Sequence, residues 1–260
     1  MNVSVITVTW NSKDFIIQQI QSVKDAAKHI TVEQIIVDNG SADGTVEVIE
    51  KTFPEISVIQ NSENKGFGVA NNQGVIISKG EYVLFLNPDM KLEPGSLDTF
   101  VSWMDKNERV GIASPRLLNM QGGFNENTSP RRFPRVWEQI AIILKLPHLF
   151  PSVLDAYRMK GFDSNREQVV DSVQGSCMLV RRELIETLGH AFDPRYFIWF
   201  EDVDLCREAH RLGYSVMYTP IISAIDYSGQ SFKKRTTWWK QKQFITSMCI
   251  YFRKWGIQKV

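Results

Sequence analysis

The first 115 residues alternate between a strand period and a helix period, and that alternation constrains the fold more than any other feature of the chain. Val3–Thr9 is rich in β-branched residues and reads as a strand. Residues 13–29 follow, with Phe15, Ile16, Ile20, Val23 and Ala27 at helical spacing. Residues 32–37, 56–60, 82–86 and 110–113 read as further strands. Helices are predicted between them over residues 44–51, 66–78 and 97–106, the first capped by Asp43. Such alternation implies crossover connections and a mostly parallel central sheet flanked by helices, an α/β fold. Ligands of these sheets bind beyond the carboxyl ends of the strands. Thr9, Asp38 and the run Asn87-Pro88-Asp89 all stand at those ends.

The second half is less regular. Residues 121–135 are rich in Gly, Asn, Pro and Arg and read as a loop. Residues 136–146 have the look of a short apolar helix, and 173–180 of a strand. Residues 202–212 form a predicted helix opening in acids, which favours its positive end. Residues 214–219 and 221–226 are predicted short strands, and 236–255 a helix. No repeat, low-complexity run or linker divides the chain.

Composition excludes several classes. Hydrophobic residues are 43% and charged residues 23%, ordinary for a globular protein. No apolar run approaches the roughly 20 residues of a spanning helix. Met1 to Val5 reads as a strand rather than a leader peptide. Three distant cysteines without a CxxC argue against a disulfide framework or a structural zinc site, and suggest a reducing, cytoplasmic setting. Formal net charge is +1, which predicts no nucleic-acid partner. The distribution is uneven, however. No Asp or Glu follows Asp226, and the tail beyond it carries eight basic residues, leaving the remainder at net −7.

Nucleotide motifs of the common kinds are missing. The first strand is followed by Trp10-Asn11-Ser12-Lys13-Asp14, without the glycines of a dinucleotide fingerprint, and no P-loop occurs. Asp38, within Val37-Asp38-Asn39-Gly40-Ser41, is on its own a turn aspartate. Asn87-Pro88-Asp89 is either a turn or a pair of oxygen donors for a hard divalent cation bridging phosphates. Glu201-Asp202-Val203-Asp204 resists the bland reading. Its three carboxylates directly follow the apolar run from Tyr196 to Phe200, and capping explains only one of them.

Taken together these pieces resemble a family. Ile6-Thr7-Val8-Thr9-Trp10-Asn11, Val37 to Thr45 (VDNGSADGT) and Asn64 to Gly74 (NKGFGVANNQG) look like the nucleotide-sugar half of the family 2 inverting glycosyltransferases, which have the GT-A fold. Leu86-Asn87-Pro88-Asp89 looks like the D-x-D variant of their rhamnosyltransferase-like branch. Gly175 to Arg182 (GSCMLVRR) and Phe200 to Arg207 (FEDVDLCR) look like acceptor-side motifs. The resemblance implies a GT-A domain over residues 1–232, with a nucleotide-sugar half over 1–115 and an acceptor half over 116–232. A basic aromatic helix over 233–260 would then pack on that domain or on a membrane.

The resemblance also implies roles. Asp38 would hold the base, with Thr9, Asn64, Lys65, Asn87 and Asp89 about the nucleotide sugar. Asp89 would bind Mg or Mn, and Asp202 would be the general base, with Glu201, Asp204 and Arg207 on the acceptor side. Many members carry a histidine where this chain has Asp226, in Asp226-Tyr227-Ser228-Gly229-Gln230-Ser231. Aspartate there completes the cation site, or else marks a degraded one. The expected activity is transfer of one sugar, with a tilt to dTDP-rhamnose, from a nucleotide diphosphate sugar to a glycan or polyprenyl-linked acceptor in surface polysaccharide assembly. The rivals are an inactive nucleotide- or glycan-binding subunit, which Asn87 and Asp226 keep open, and a sugar nucleotidyltransferase, which lacks its phosphate loop here. Phe244, Met248, Tyr251 and Trp255 share one face of the last predicted helix. That face is either core or, with the basic residues, a peripheral anchor on the inner face of an anionic membrane.

Overall fold

A computed structural model describes residues 1–227 and 236–256. Nine strands form one sheet in the order β3-β2-β1-β4-β8-β6-β9-β5, with β7 paired to β9. In the first half β1 (Val3–Thr9), β2 (Val32–Asp38), β3 (Ser57–Gln60) and β4 (Tyr82–Leu86) run parallel. They are joined by α1 (Lys13–Ala26), α2 (Thr45–Thr52) and α3 (Phe67–Ile77). The strand period decides which side chains meet. Tyr82, Leu84 and Leu86 enter one apolar cluster, while Val83 and Phe85 enter another on the opposite face. With both faces covered, β4 is buried along its whole length.

Because β2 and β3 lie on one side of β1 and β4 on the other, the strand order reverses at the β1–β4 pair. A crevice opens beyond their carboxyl ends. Thr9 ends β1 and Leu86 ends β4, so Asn87, Pro88 and Asp89 turn into this crevice before β5 (Met90–Leu92) and α4 (Ser96–Lys106).

Beyond β4 the sheet is mixed. β8 (Cys177–Arg181) runs antiparallel to β4 and to β6 (Val110–Leu118). β5 and β7 (Gln168–Val169) run antiparallel to β9 (Ser215–Asp226), while β6 is parallel to β9. Where the sequence suggests two short strands, β9 is continuous, with a break in register at Pro220. Thr219 pairs with Pro115, yet Ser223 pairs with the next residue, Arg116. Proline lacks the ladder donor, and the extra residues re-aim the strand. Its end then pairs with β5, placing Asp226 opposite Met90, while the Tyr227 N–H donates to the Asp89 carbonyl at 3.0 Å.

The remaining elements among the described residues are α5 (Val136–Ile143), short 3-10 turns over Glu126–Thr128, Leu146–His148 and Pro151–Leu154, α6 (Arg182–Leu188), α7 (Glu201–Arg211) and α8 (Thr237–Trp255). The face Phe244, Met248, Tyr251 and Trp255 of α8 packs against Tyr196 and Phe200. Lys254 turns inward as well, donating to Asp204 at 2.7 Å and lying 2.9 Å from Glu208. The stripe is therefore core. Of the basic tail, Lys233, Lys234, Arg235 and Lys259 lie outside the described residues, as do residues 228–231 of the motif that begins at Asp226. No helix among the described residues is long and apolar enough to cross a membrane.

Candidate active site

Two cavities meet beyond the carboxyl ends of β1 and β4. The first, about 400 Å³, is lined by Thr9 and Trp10 from the end of β1, Asn39 after β2, and Asn64 before α3. Asn87, Asp89, Asn125 and Asp226 line its floor, and Trp239 of α8 reaches it from above. The second, about 460 Å³, holds Glu201 and Asp202 from the start of α7, with Arg131, Gln139, Tyr157, Arg158 and Trp199 around them. Phe67, Asn87, Asn127, Gln174, Ser176 and Ile198 line both, so the two are rooms with a common wall.

Glycine makes the entrance to α3. Gly66 has φ +90°, and a Cβ there would lie 2.5 Å from the Phe197 carbonyl oxygen. Only a bare backbone allows that approach, which the Phe67 N–H completes by donating to the same carbonyl at 2.8 Å. The segment leading to α7 is thereby held against the start of α3. Trp199 and Phe200 both adopt positive φ, 65° and 69°, just before the helix. For large L-residues this conformation costs about 1–2 kcal/mol each. It swings Glu201 and Asp202 into the second cavity.

The pattern of glycosyl transferase family 2 matches residues 4–189. The chain belongs to this family. This glycosyltransferase is 27% identical over 241 residues to the N-acetylglucosaminyl-diphospho-decaprenol L-rhamnosyltransferase of Mycobacterium tuberculosis, covering 87% of this chain and 76% of the relative. It is 26% identical over 251 residues to the rhamnosyltransferase WbbL of Escherichia coli, covering 92% of this chain and 90% of that one. Among solved structures, the mannosyltransferase PcManGT of Pyrobaculum calidifontis, in complex with GDP-Man and Mn2+, matches with TM-score 0.64 at 19% identity, over 97% of this chain and 64% of that one. S. aureus TarS matches with TM-score 0.62 at 17% identity, over 88% of this chain and 37% of its own. These likenesses establish the GT-A-like fold.

Seven of the side chains expected from the sequence line the two cavities of the glycosyltransferase. Thr9, Asn64, Asn87, Asp89 and Asp226 line the first cavity, and Glu201 and Asp202 the second. The Thr9 hydroxyl is buried there without a hydrogen-bond partner among the described residues. Asp38 lies off the lining. One carboxylate oxygen accepts from the Gly40 and Ser41 N–H groups at 3.1 and 2.9 Å, and the other from the Ser41 hydroxyl. Its neighbour Asn39 faces the cavity instead. Lys65 also lies off the lining, with its N–H on the Asn39 amide oxygen. Asp204 and Arg207 point away from the second cavity, because period 3.6 turns them toward α8. Asp204 accepts from Lys254 at 2.7 Å and from the Trp255 indole at 2.6 Å. The Arg207 guanidinium donates to the Tyr251 hydroxyl at 2.9 Å and sits 4.7 Å from the Trp255 ring.

Sequence reasoning did not find Asn39, Asn125, Trp239 or Arg131 as lining residues. Asn125 donates to the Asp226 carboxylate at 3.1 Å, and it lies in a stretch that reads only as loop. Trp239 follows an exposed tryptophan, and nothing in the sequence separates the two.

Electrostatics separates the two carboxyls of the second cavity. Burial, then the charge of Asp202 beside it, pushes the Glu201 carboxyl well above the usual range. Burial raises Asp202 too, but it accepts from the Gly175 N–H at 3.2 Å and the Val203 N–H at 2.8 Å, and the Arg131 charge favours its ionised form. The shift is the larger at Glu201, whereas the two N–H donors and the Arg131 charge pull Asp202 back toward its ionised form.

In the first cavity, Asn87, Asp89 and Asp226 bring two carboxylates and an amide oxygen to one floor. Among the described residues no three His, Cys, Asp or Glu side chains cluster as a complete cage. An incomplete oxygen set of this kind fits Mg or Mn, which take one or two carboxylates together with substrate phosphates.

Proposed function

We propose that the protein transfers one sugar, with inversion, from a nucleotide diphosphate sugar to a glycan or lipid-linked acceptor. The observation that carries this reading is the common wall. Asn87, Asp89 and Asp226 stand in one room, and Asp202 with Glu201 in the other. A donor lying in the first cavity directs its anomeric carbon across Asn87 and Ser176. Asp202 then faces that carbon from the acceptor room and takes the proton of the attacking hydroxyl. Burial favours the neutral form of Glu201, which in that form offers a hydrogen bond to the acceptor. Asp89, Asp226 and Asn87 would hold Mg or Mn, which supplies positive charge to the leaving diphosphate. One carboxylate in the reacting position suits inversion, since retention needs a second as nucleophile.

The names of the relatives in Mycobacterium tuberculosis and Escherichia coli favour a rhamnose donor, and the former favours an acceptor on a polyprenyl carrier. Work at the inner face of a membrane, as a peripheral protein, follows from such an acceptor. Thermal shift against UDP-, dTDP- and GDP-sugars tests the reading. One donor at 100 times its Kd is expected to stabilise the fold by about 2.7 kcal/mol. Release of nucleoside diphosphate in the presence of Mn should follow with that donor. Binding without any turnover would favour the inactive relative, and no binding across the panel would overturn the reading.

A further inference from the structure

The second cavity carries more cationic and donor groups than a neutral sugar acceptor requires. Arg131 and Arg158 both line it, and neither makes an ion pair among the described residues. Arg131 spends one donor on the Asn127 carbonyl at 2.8 Å, and its guanidinium lies 5.8 Å from the Tyr157 ring centroid. The Arg132 N–H donates to the Tyr157 carbonyl at 3.0 Å and ties the two arginine-bearing segments together. Gln139 of α5 lines the same cavity and is only 1% exposed, and its amide nitrogen has no hydrogen-bond partner among the described residues. A buried donor left unsatisfied costs about 1–3 kcal/mol, so its position calls for an acceptor-rich ligand. Two guanidinium groups and an amide N–H₂ directed into one cavity match the oxygens of a phosphate or diphosphate.

The wall that supplies Gln139 continues to the outside as an apolar surface. Trp137 and Ile140 of α5, with Leu144, Leu149 and Phe150 just beyond, are between 44% and 74% exposed. The stretch from Arg131 to Lys160 holds six Lys and Arg against two acids. Both acids are engaged at home. Glu138 accepts from the Arg135 N–H at 2.8 Å, and Asp155 pairs with Lys160 at 2.8 Å. An apolar face in a segment of net positive charge complements an anionic lipid surface.

We propose that Arg131, Arg158 and Gln139 form a diphosphate subsite for an acceptor carried on a lipid, with the outer face of α5 resting where the lipid enters the bilayer. This rests on the assignment of the second cavity to the acceptor and adds the residues that would hold the diphosphate of its carrier.

The test is calorimetric titration of the full chain, in EDTA, with farnesyl diphosphate, inorganic pyrophosphate and farnesol. Farnesyl diphosphate is expected to bind, to weaken about tenfold or more in Arg131→Gln and in Arg158→Gln, and to bind Asp89→Ala as well as wild type. Quenching of tryptophan fluorescence, with Trp199 in the cavity wall, gives an independent readout. Tighter binding of farnesyl diphosphate than of pyrophosphate, with farnesol inert, supports a lipid-carried diphosphate. Equal binding of pyrophosphate and farnesyl diphosphate overturns the lipid part. Binding lost in Asp89→Ala but kept in both arginine variants assigns the phosphates to the first cavity and overturns the subsite. If both arginine variants bind farnesyl diphosphate like wild type while still transferring sugar, the subsite falls and the glycosyltransferase reading stands.

Discussion

On the proposed reading a single proton decides the chemistry of the second cavity, and the neighbouring carboxyls of Glu201 and Asp202 compete for it. Asp202→Asn removes the acceptor of that proton with little change in volume. Transfer is expected to fall by roughly 10²–10⁴-fold while nucleotide affinity is unchanged, measured by product formation beside donor titration. Because Asp202 is raised, the rate rises with pH through a value above the usual carboxylate range. Arg131→Gln withdraws a nearby positive charge and should move that acidic limb to higher pH. Glu201 predicts a different pH effect. A folded-state pKa raised above the unfolded one means tighter proton binding in the native state. The associated stability is present at low pH and is lost as pH climbs through the raised value. Glu201→Gln is expected to flatten this loss in a series of melting curves from pH 5 upward. An unchanged slope would show that Glu201 is ionised. The sequence marks this acidic cluster by its apolar setting alone, but not which carboxyl takes which role. That depends on the Gly175 N–H, 27 positions upstream in the chain, and on Arg131, which only the fold brings near.

The strands and helices of the first half were legible because each carries its own period. β1, β4 and α3 fall within a residue or so of the spans expected. β5 was missed, since three residues after a proline show no period, and it forms only because the end of β9 pairs with it. α8 was legible as a helix but not in its partner. Its apolar stripe suits a bilayer or a protein core equally, and what separates them is the ion pair at Lys254. Burial acts to lower the Lys254 pKa, but bonds from Asp204 and Glu208 outweigh it and keep the ammonium charged. Lys254→Met leaves buried carboxylates without their cation. A loss of about 3 kcal/mol is expected by denaturant titration, with slower transfer because α8 also carries Trp239 and Phe244 into the two cavities. A variant as stable as wild type would show that α8 is held by its aromatic face alone.

At the scale of the whole molecule, Asp89 and Asp226 reach one cavity from distant parts of the chain. β4 delivers one through the turn at Pro88, and the register break in β9 delivers the other. If these carboxylates bind Mg or Mn, removal of divalent cations with EDTA should abolish transfer and weaken nucleoside diphosphate binding. Asp89→Ala should weaken that binding more than Asp226→Ala, whose role Asn125 partly shares. Unaltered binding and turnover in EDTA would remove the cation from the mechanism. From the sequence, Asp226 stood out only by its place in a resemblance; its distance from Asp89 along the chain hides the pair.

The common wall has a kinetic consequence. Phe67, Asn87, Asn127, Gln174, Ser176 and Ile198 line both cavities, so with donor and acceptor placed as proposed each would face two ligands at once and one substrate would complete the surface that meets the other. Reaction then requires a ternary complex. Initial velocities at varied donor and acceptor give intersecting rather than parallel double-reciprocal lines, and Asn87→Ala alters both Michaelis constants together.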